Sequence, residues 1–195
     1  LALFDPGDCV AIARPGYPAY RNILAALGLT VVEVEANAES GFTLTPENLA
    51  RAAAKIGRPL KGVLLASPAN PTGTVTGRAG LKALADYCRT ENIAFISDEI
   101  YHGLTFAGEE ASALEVTDDV VVINSFSKYY CMTGWRIGWM VLPEKQVRGF
   151  ERIAQSLYIS PPELSQIAAE AALGAQVELD GYKAAYAANR EMLLK

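Results

Sequence analysis

Short apolar runs alternate with amphipathic stretches along the whole chain. Cys9–Ala13 is apolar throughout and reads as a strand, whereas Tyr20–Leu27 spaces its apolar positions like a helix and stops at Gly28, a residue suited to a helix C-terminus. Leu29–Val34 is rich in β-branched residues and predicts a second strand. Thr45-Pro46 predicts a helix start, with Thr45 as N-cap and Pro46 at the first helical position, and that helix runs to about Ile56 before Gly57 stops it. Gly62–Ala66, Ile93–Ile96 and Val120–Ile123 are apolar on both faces, as strands covered by helices on both sides must be. Between them, Leu81, Leu84, Ala85 and Cys88 share one helical face. Arg136–Val141 reads as a further strand, and from Lys145 onward the pattern is helical, with Pro161 ending one helix and Pro162-Glu163 opening the next. Strand–helix alternation of this kind predicts an α/β fold, a three-layer αβα sandwich with a mostly parallel mixed sheet.

Composition narrows the function classes. Of the 195 residues, 51% are hydrophobic and 20% charged, enough for a core of ordinary size. The formal charge is -5, which argues against nucleic acid as a partner, because a phosphate backbone needs a basic face. No stretch is apolar for long enough to predict a membrane span, and no glycine-rich P-loop or GxGxxG pattern is present. Cys9, Cys88 and Cys131 are odd in number and form no CxxC pair, so no metal site is expected. They are expected to be reduced, buried thiols of a cytoplasmic protein. The first residue is Leu, so the natural N-terminus is expected to lie upstream.

The candidate chemistry lies just past the predicted strands, where open α/β sheets bind ligands. Asn70 follows the strand at 62–66, Asp98 the strand at 93–96, and Ser125, Ser127 and Lys128 the strand at 120–123. A loop lysine is most often a solvated charge, but a lysine partly desolvated beside another cation becomes a usable nucleophile, and Arg136 is eight residues on. Asp98 has a bland reading as a turn or cap residue; in a dry crevice its carboxylate needs a partner, and a protonated pyridine nitrogen is one. Tyr101 is either a core aromatic with a wet tip or, with Asn70, a donor to a ring oxygen. His102 is read as packing near the site or facing solvent. Trp135 and Trp139 are read as core or interface aromatics.

Four motifs in order carry a family resemblance: Pro15-Gly16-Tyr17-Pro18-Ala19-Tyr20, Ser67-Pro68-Ala69-Asn70-Pro71-Thr72-Gly73, Ser97-Asp98-Glu99-Ile100-Tyr101, and Ser125-Phe126-Ser127-Lys128 with Gly134-Trp135-Arg136-Ile137-Gly138. In order and spacing the chain resembles the class I/II, fold-type I, pyridoxal-phosphate-dependent aminotransferases. The resemblance implies the large domain of the aspartate-aminotransferase-like fold, and pyridoxal 5'-phosphate as cofactor. It implies that Tyr17 stacks on the cofactor ring, that Asn70 and Tyr101 donate to the ring oxygen, and that Asp98 pairs with the pyridine nitrogen. Lys128 is implied as the Schiff-base lysine and catalytic base. Ser125 and Arg136 are implied as phosphate ligands, and Ser127 as a weaker one.

Family members are about twice this length, so residues 1–195 are expected to be the cofactor-binding large domain, with about 177–195 as the connector helix toward a small domain. The implied substrates are an amino acid and a 2-oxo acid, and the implied assembly is a cytoplasmic homodimer with no membrane or nucleic-acid partner. The fragment alone is expected to be inactive. A carbon–sulfur β-lyase, an aminocyclopropane-carboxylate-synthase-like enzyme, and the non-catalytic aminotransferase-like domain of a transcription regulator share the scaffold and stand as alternatives.

Overall fold

The computed structural model describes all residues, 1–195. Six strands form one sheet: β1 (Cys9–Arg14), β2 (Thr30–Glu35), β3 (Gly62–Ala66), β4 (Ala94–Asp98), β5 (Val121–Ser125) and β6 (Gly138–Val141). Their order is β2-β1-β3-β4-β5-β6, with every neighbouring pair parallel except β5–β6. Six helices accompany them: α1 (Pro18–Ala26), α2 (Pro46–Ile56), α3 (Arg78–Thr90), α4 (Glu144–Leu157), α5 (Glu163–Ala172) and α6 (Gln176–Leu193).

Local chemistry sets the helix ends. Thr45 caps α2 by accepting from the Asn48 backbone, and the Asn48 side chain returns a contact to the Thr45 backbone N–H. Gly57 closes that helix at φ 63°, a left-handed conformation that glycine adopts without a Cβ penalty. Pro18 occupies the first turn of α1, so this helix begins two residues before the apolar pattern indicates.

The two sides of the sheet are unequal. Cys9, Ala11, Val63, Leu65, Phe95 and Val122 point to the side covered by α2 and α3, where they join Leu49, Leu81 and Leu84 in the main core. Val10 and Ile12 point to the other side, against Leu24 of α1 and Leu29. Each fully buried leucine contributes about 1.5–3 kcal/mol through removal of apolar surface from water, so the α2–α3 side dominates.

Coverage on both faces does not extend to the outer edge. All four residues of β6 are exposed, and α4 buries no residue. Trp135 and Trp139 are correspondingly 46% and 38% exposed, so neither is a core aromatic in this chain. Cys9 and Cys88 are buried as expected, but Cys131 is exposed, on a left-handed turn at φ 57°. The C-terminal helix pair also departs slightly from expectation. α4 ends at Leu157, ahead of Pro161, and Pro162 is the residue before α5. No helix is long and apolar enough to cross a membrane.

Candidate active site

Register aligns the strand ends that carry the candidate residues. Asp98, the last residue of β4, lies opposite Ala66 on one neighbour and Ile123 on the other. Pairing continues one step further on both sides, from Ser67 N to Asp98 O (3.0 Å) and from Glu99 N to Ile123 O (2.8 Å). The loops leaving β3, β4 and β5 therefore start side by side.

Side chains from these loops meet. Asn70 Nδ2 donates to the Tyr101 hydroxyl at 3.4 Å, and Lys128 Nζ lies 5.7 Å from the centre of the Tyr101 ring, over its face. That distance is within cation–π range. Lys128 is half-buried. Its position is fixed from both flanks, because Phe126 and Met132 are buried together against Ala169 of α5. The Thr133 hydroxyl donates to the Ser127 carbonyl at 2.7 Å, and Met132 N donates to Phe126 O at 3.0 Å, closing the loop that begins at Lys128.

Asp98 faces a partner that the sequence did not single out. The Tyr20 hydroxyl donates to Asp98 Oδ2 at 2.5 Å, while Ile100 N donates to Asp98 Oδ1 at 3.1 Å. Burial, then the Asp98 charge and the hydrogen bond to it, raise the Tyr20 pKa well above the ordinary tyrosine value. Tyr20 thus stays a proton donor to this carboxylate. The available signal was its place in α1, one helical turn after Tyr17, which puts both rings on the same helix end. The rings meet edge to face with centres 5.4 Å apart, and Tyr17 itself remains 45% exposed.

A second group of donors gathers at the end of β5. Ser125 Oγ donates to Ser127 Oγ at 2.8 Å and accepts from Ser127 N at 2.9 Å. Arg136 Nη1 donates to the Thr133 carbonyl at 2.9 Å and reaches Ser127 Oγ at 3.5 Å. Arg136 sits at φ 51°, outside β6, on the turn that reverses the chain for the antiparallel strand. Gly138 opposes Ser125 in the ladder. A Cβ there would lie 2.5 Å from Asn124 O, so only glycine lets β6 approach the serine closely. Two hydroxyls and a guanidinium within a few ångströms suit a phosphate, which is bound by convergent donors and a cationic fork.

A cavity of about 520 Å³ borders the site. It shares the Asn70 and Tyr101 side of the crevice and is walled further by Pro68, Leu104, Phe106 and, from α6, Arg190, a residue the sequence did not flag. Lys128 and Asp98 do not line it. His102 is largely buried, with Nδ1 3.4 Å from Glu99 Oε2, so it belongs to a neighbouring network and not to the crevice.

Known proteins resemble this chain in sequence and fold. The family model described as aminotransferase class I and II matches residues 1–195. The chain is 48% identical to the valine–pyruvate aminotransferase of Mycobacterium tuberculosis, covering 100% of this chain and 50% of that protein. It is 36% identical to an arginine–pyruvate transaminase of Pseudomonas aeruginosa, covering 99% and 49%. Among solved structures, an aminotransferase from M. tuberculosis superposes with a TM-score of 0.94 at 48% identity, covering 99% of this chain and 53% of that one. Aspartate aminotransferase from Thermus thermophilus with maleate gives 0.91 at 33% identity, covering 99% and 51%. The chain spans about half the length of the curated relatives it matches. On its motifs, its sheet order and these matches over its full length, the chain belongs to the class I and II aminotransferase family.

Proposed function

We propose that the full-length protein transfers an amino group between an amino acid and a 2-oxo acid, with pyridoxal 5'-phosphate held by this chain. The observation that carries the reading is the meeting of Lys128, Tyr101 and Asn70 from the loops that leave three adjacent parallel strands, the middle one ending at Asp98. The donor set fits the cofactor's three polar regions. Ser125, Ser127 and Arg136 would hold its phosphate, Asp98 its pyridine nitrogen, and Asn70 with Tyr101 its ring oxygen, while Tyr17 would stack on the ring. The bound cofactor supplies an electron sink that stabilises negative charge at the substrate α-carbon.

The chain's own groups set the proton chemistry. Lys128 would supply the amine that holds the cofactor at its aldehyde carbon, and the same amine would serve as the base for the substrate α-proton. Asp98 would hold a proton on the pyridine nitrogen, and the Tyr20 hydroxyl donates to the Asp98 carboxylate and so orients it. Asn70 and Tyr101 would donate to the ring oxygen and stabilise negative charge there.

We read residues 1–195 as the cofactor-binding large domain and α6 as the connector leading out of it. Likeness to the valine–pyruvate enzyme supports an aliphatic amino acid with pyruvate as acceptor. A homodimer is supported by the apolar side chains that α4 and α5 leave exposed, such as Leu157, Leu164 and Ile167. The three free cysteines suit a reducing compartment such as the cytoplasm. The test is an amino-transfer assay on the full-length protein with added cofactor. Formation of alanine from pyruvate with valine as donor, lost in Lys128→Ala, supports the reading. Release of ammonia and a thiol from a sulfur amino acid, without amino transfer, contradicts it.

A further inference from the structure

The long excursion from β4 to β5 carries Tyr101, yet it contains no regular element except a single 3-10 turn at Ala113–Glu115. Two carboxylates hold it. Glu99 is only 3% exposed and accepts from every direction: from Ser97 Oγ at 3.0 Å and Ala113 N at 2.8 Å on Oε1, and from Ser112 Oγ at 2.8 Å on Oε2. His102 Nδ1 lies 3.4 Å from the same Oε2. Further out, Glu110 accepts from Gly103 N on both oxygens, at 3.0 and 3.1 Å, and from Thr105 Oγ1 at 2.5 Å. Glu99 follows the last residue of β4 and continues its pairing by one step, and its side chain joins Ser97 on the face away from Asp98.

The clamp reaches the reacting residues by contact. Its first turn, His102 N to Glu99 O at 2.9 Å and Leu104 N to Tyr101 O at 3.0 Å, presents the Tyr101 ring under Lys128. Gly103, at φ +90°, passes so close to Tyr129 that an added Cβ would lie 2.6 Å from the ring, so the same loop also abuts the residue after Lys128. A buried carboxylate with four neighbouring polar groups has one well-defined geometry, whereas surface contacts would leave the loop several.

We propose that Glu99 is a positioning residue: its buried network fixes the loop that sets Tyr101 against Lys128 and the cofactor's ring oxygen. The inference rests on the proposed function for the role of Tyr101. It concerns Glu99 acting through Tyr101, with no contact of its own to cofactor or substrate.

The experiment compares full-length wild type, Glu99→Gln, Glu99→Asp and Tyr101→Phe. The first readout is amide hydrogen exchange of the cofactor-free proteins. In Glu99→Gln, amides of residues 100–113 are expected to exchange about tenfold faster or more, with β1 and β3 unchanged. The second is the pH midpoint of the visible band with pyridoxal phosphate bound. Loss of correct Tyr101 donation raises the proton affinity of the imine, so Glu99→Gln is expected to raise the midpoint by about one unit. Tyr101→Phe should do the same, and the double variant should add little. Glu99→Asp keeps the charge and should recover part of the midpoint. A Glu99→Gln protein with wild-type exchange and midpoint overturns the inference, as does a global loss of protection with an unmoved midpoint, which marks a merely structural role. Absence of any visible band in wild type would instead defeat the proposed function, leaving the exchange result to judge the clamp.

Discussion

Tyr20→Phe removes one hydroxyl and nothing else, and it isolates the contact that sequence patterning did not reveal. In the folded chain that hydroxyl donates to Asp98 Oδ2 at 2.5 Å. A hydrogen bond to a charged acceptor contributes about 1.5–3 kcal/mol. Both residues are only half-buried, so the lower part of that range, about 1.5–2 kcal/mol, is the expected loss. That is about tenfold or more in the unfolding equilibrium. Full-length wild type and Tyr20→Phe, both freed of cofactor, are compared by urea unfolding at pH 7, with an unchanged m-value required. The pH dependence has a definite sign. The folded-state pKa of Tyr20 is raised, so the folded protein keeps a proton that the unfolded chain loses above about pH 10. The advantage of wild type is therefore full below about pH 10 and declines as pH rises beyond it, by at most about 1.4 kcal/mol per unit. A difference below about 0.5 kcal/mol at pH 7, or one that grows above pH 10, would mean that the Tyr20–Asp98 hydrogen bond does not stabilise the fold.

Two further outcomes are expected. Gly103→Ala places a Cβ against the Tyr129 ring at a φ that disfavours side chains, which costs about 1–3 kcal/mol and should weaken retention of pyridoxal phosphate in equilibrium dialysis. Mass-mapped alkylation of the native protein near pH 8 should label Cys131 first, since it is exposed. Cys9 and Cys88 should react only on unfolding, because both are buried and burial pushes the Cys88 thiol up to about 12.

The α/β layering was readable because β1, β3 and the starts of β4 and β5 are continuous apolar runs and because α2 carries caps at both ends. Thr45, Pro46 and Gly57 bracket α2 as their chemistry requires, and the apolar face of Leu81, Leu84, Ala85 and Cys88 is buried as its spacing implies. The candidate residues were readable because polar groups at strand ends stand out against those runs. What patterning could not give is pairwise geometry. Tyr20 and Asp98 are 78 positions apart, and nothing local indicates that they are hydrogen-bonded. Glu99 looked like a neighbour of Asp98, but strand alternation sends it to the opposite face, into a network completed by Ser112 and Ala113. Cys131 was expected to be buried and is exposed, and of the two readings offered for Trp135 and Trp139, core or interface, exposure removes the core one. Apolar character says that a side chain favours burial, while burial itself depends on what packs over it, and at the β6 edge these residues remain exposed.

The central claim is that Lys128 is the amine that joins the cofactor. Borohydride reduction of the full-length protein with bound pyridoxal phosphate, followed by peptide mapping, tests it most directly, because reduction fixes the covalent link at its lysine. A phosphopyridoxyl group on Lys128 alone, absent in Lys128→Ala, is the expected result. Modification at another lysine, with Lys128 untouched, would contradict it.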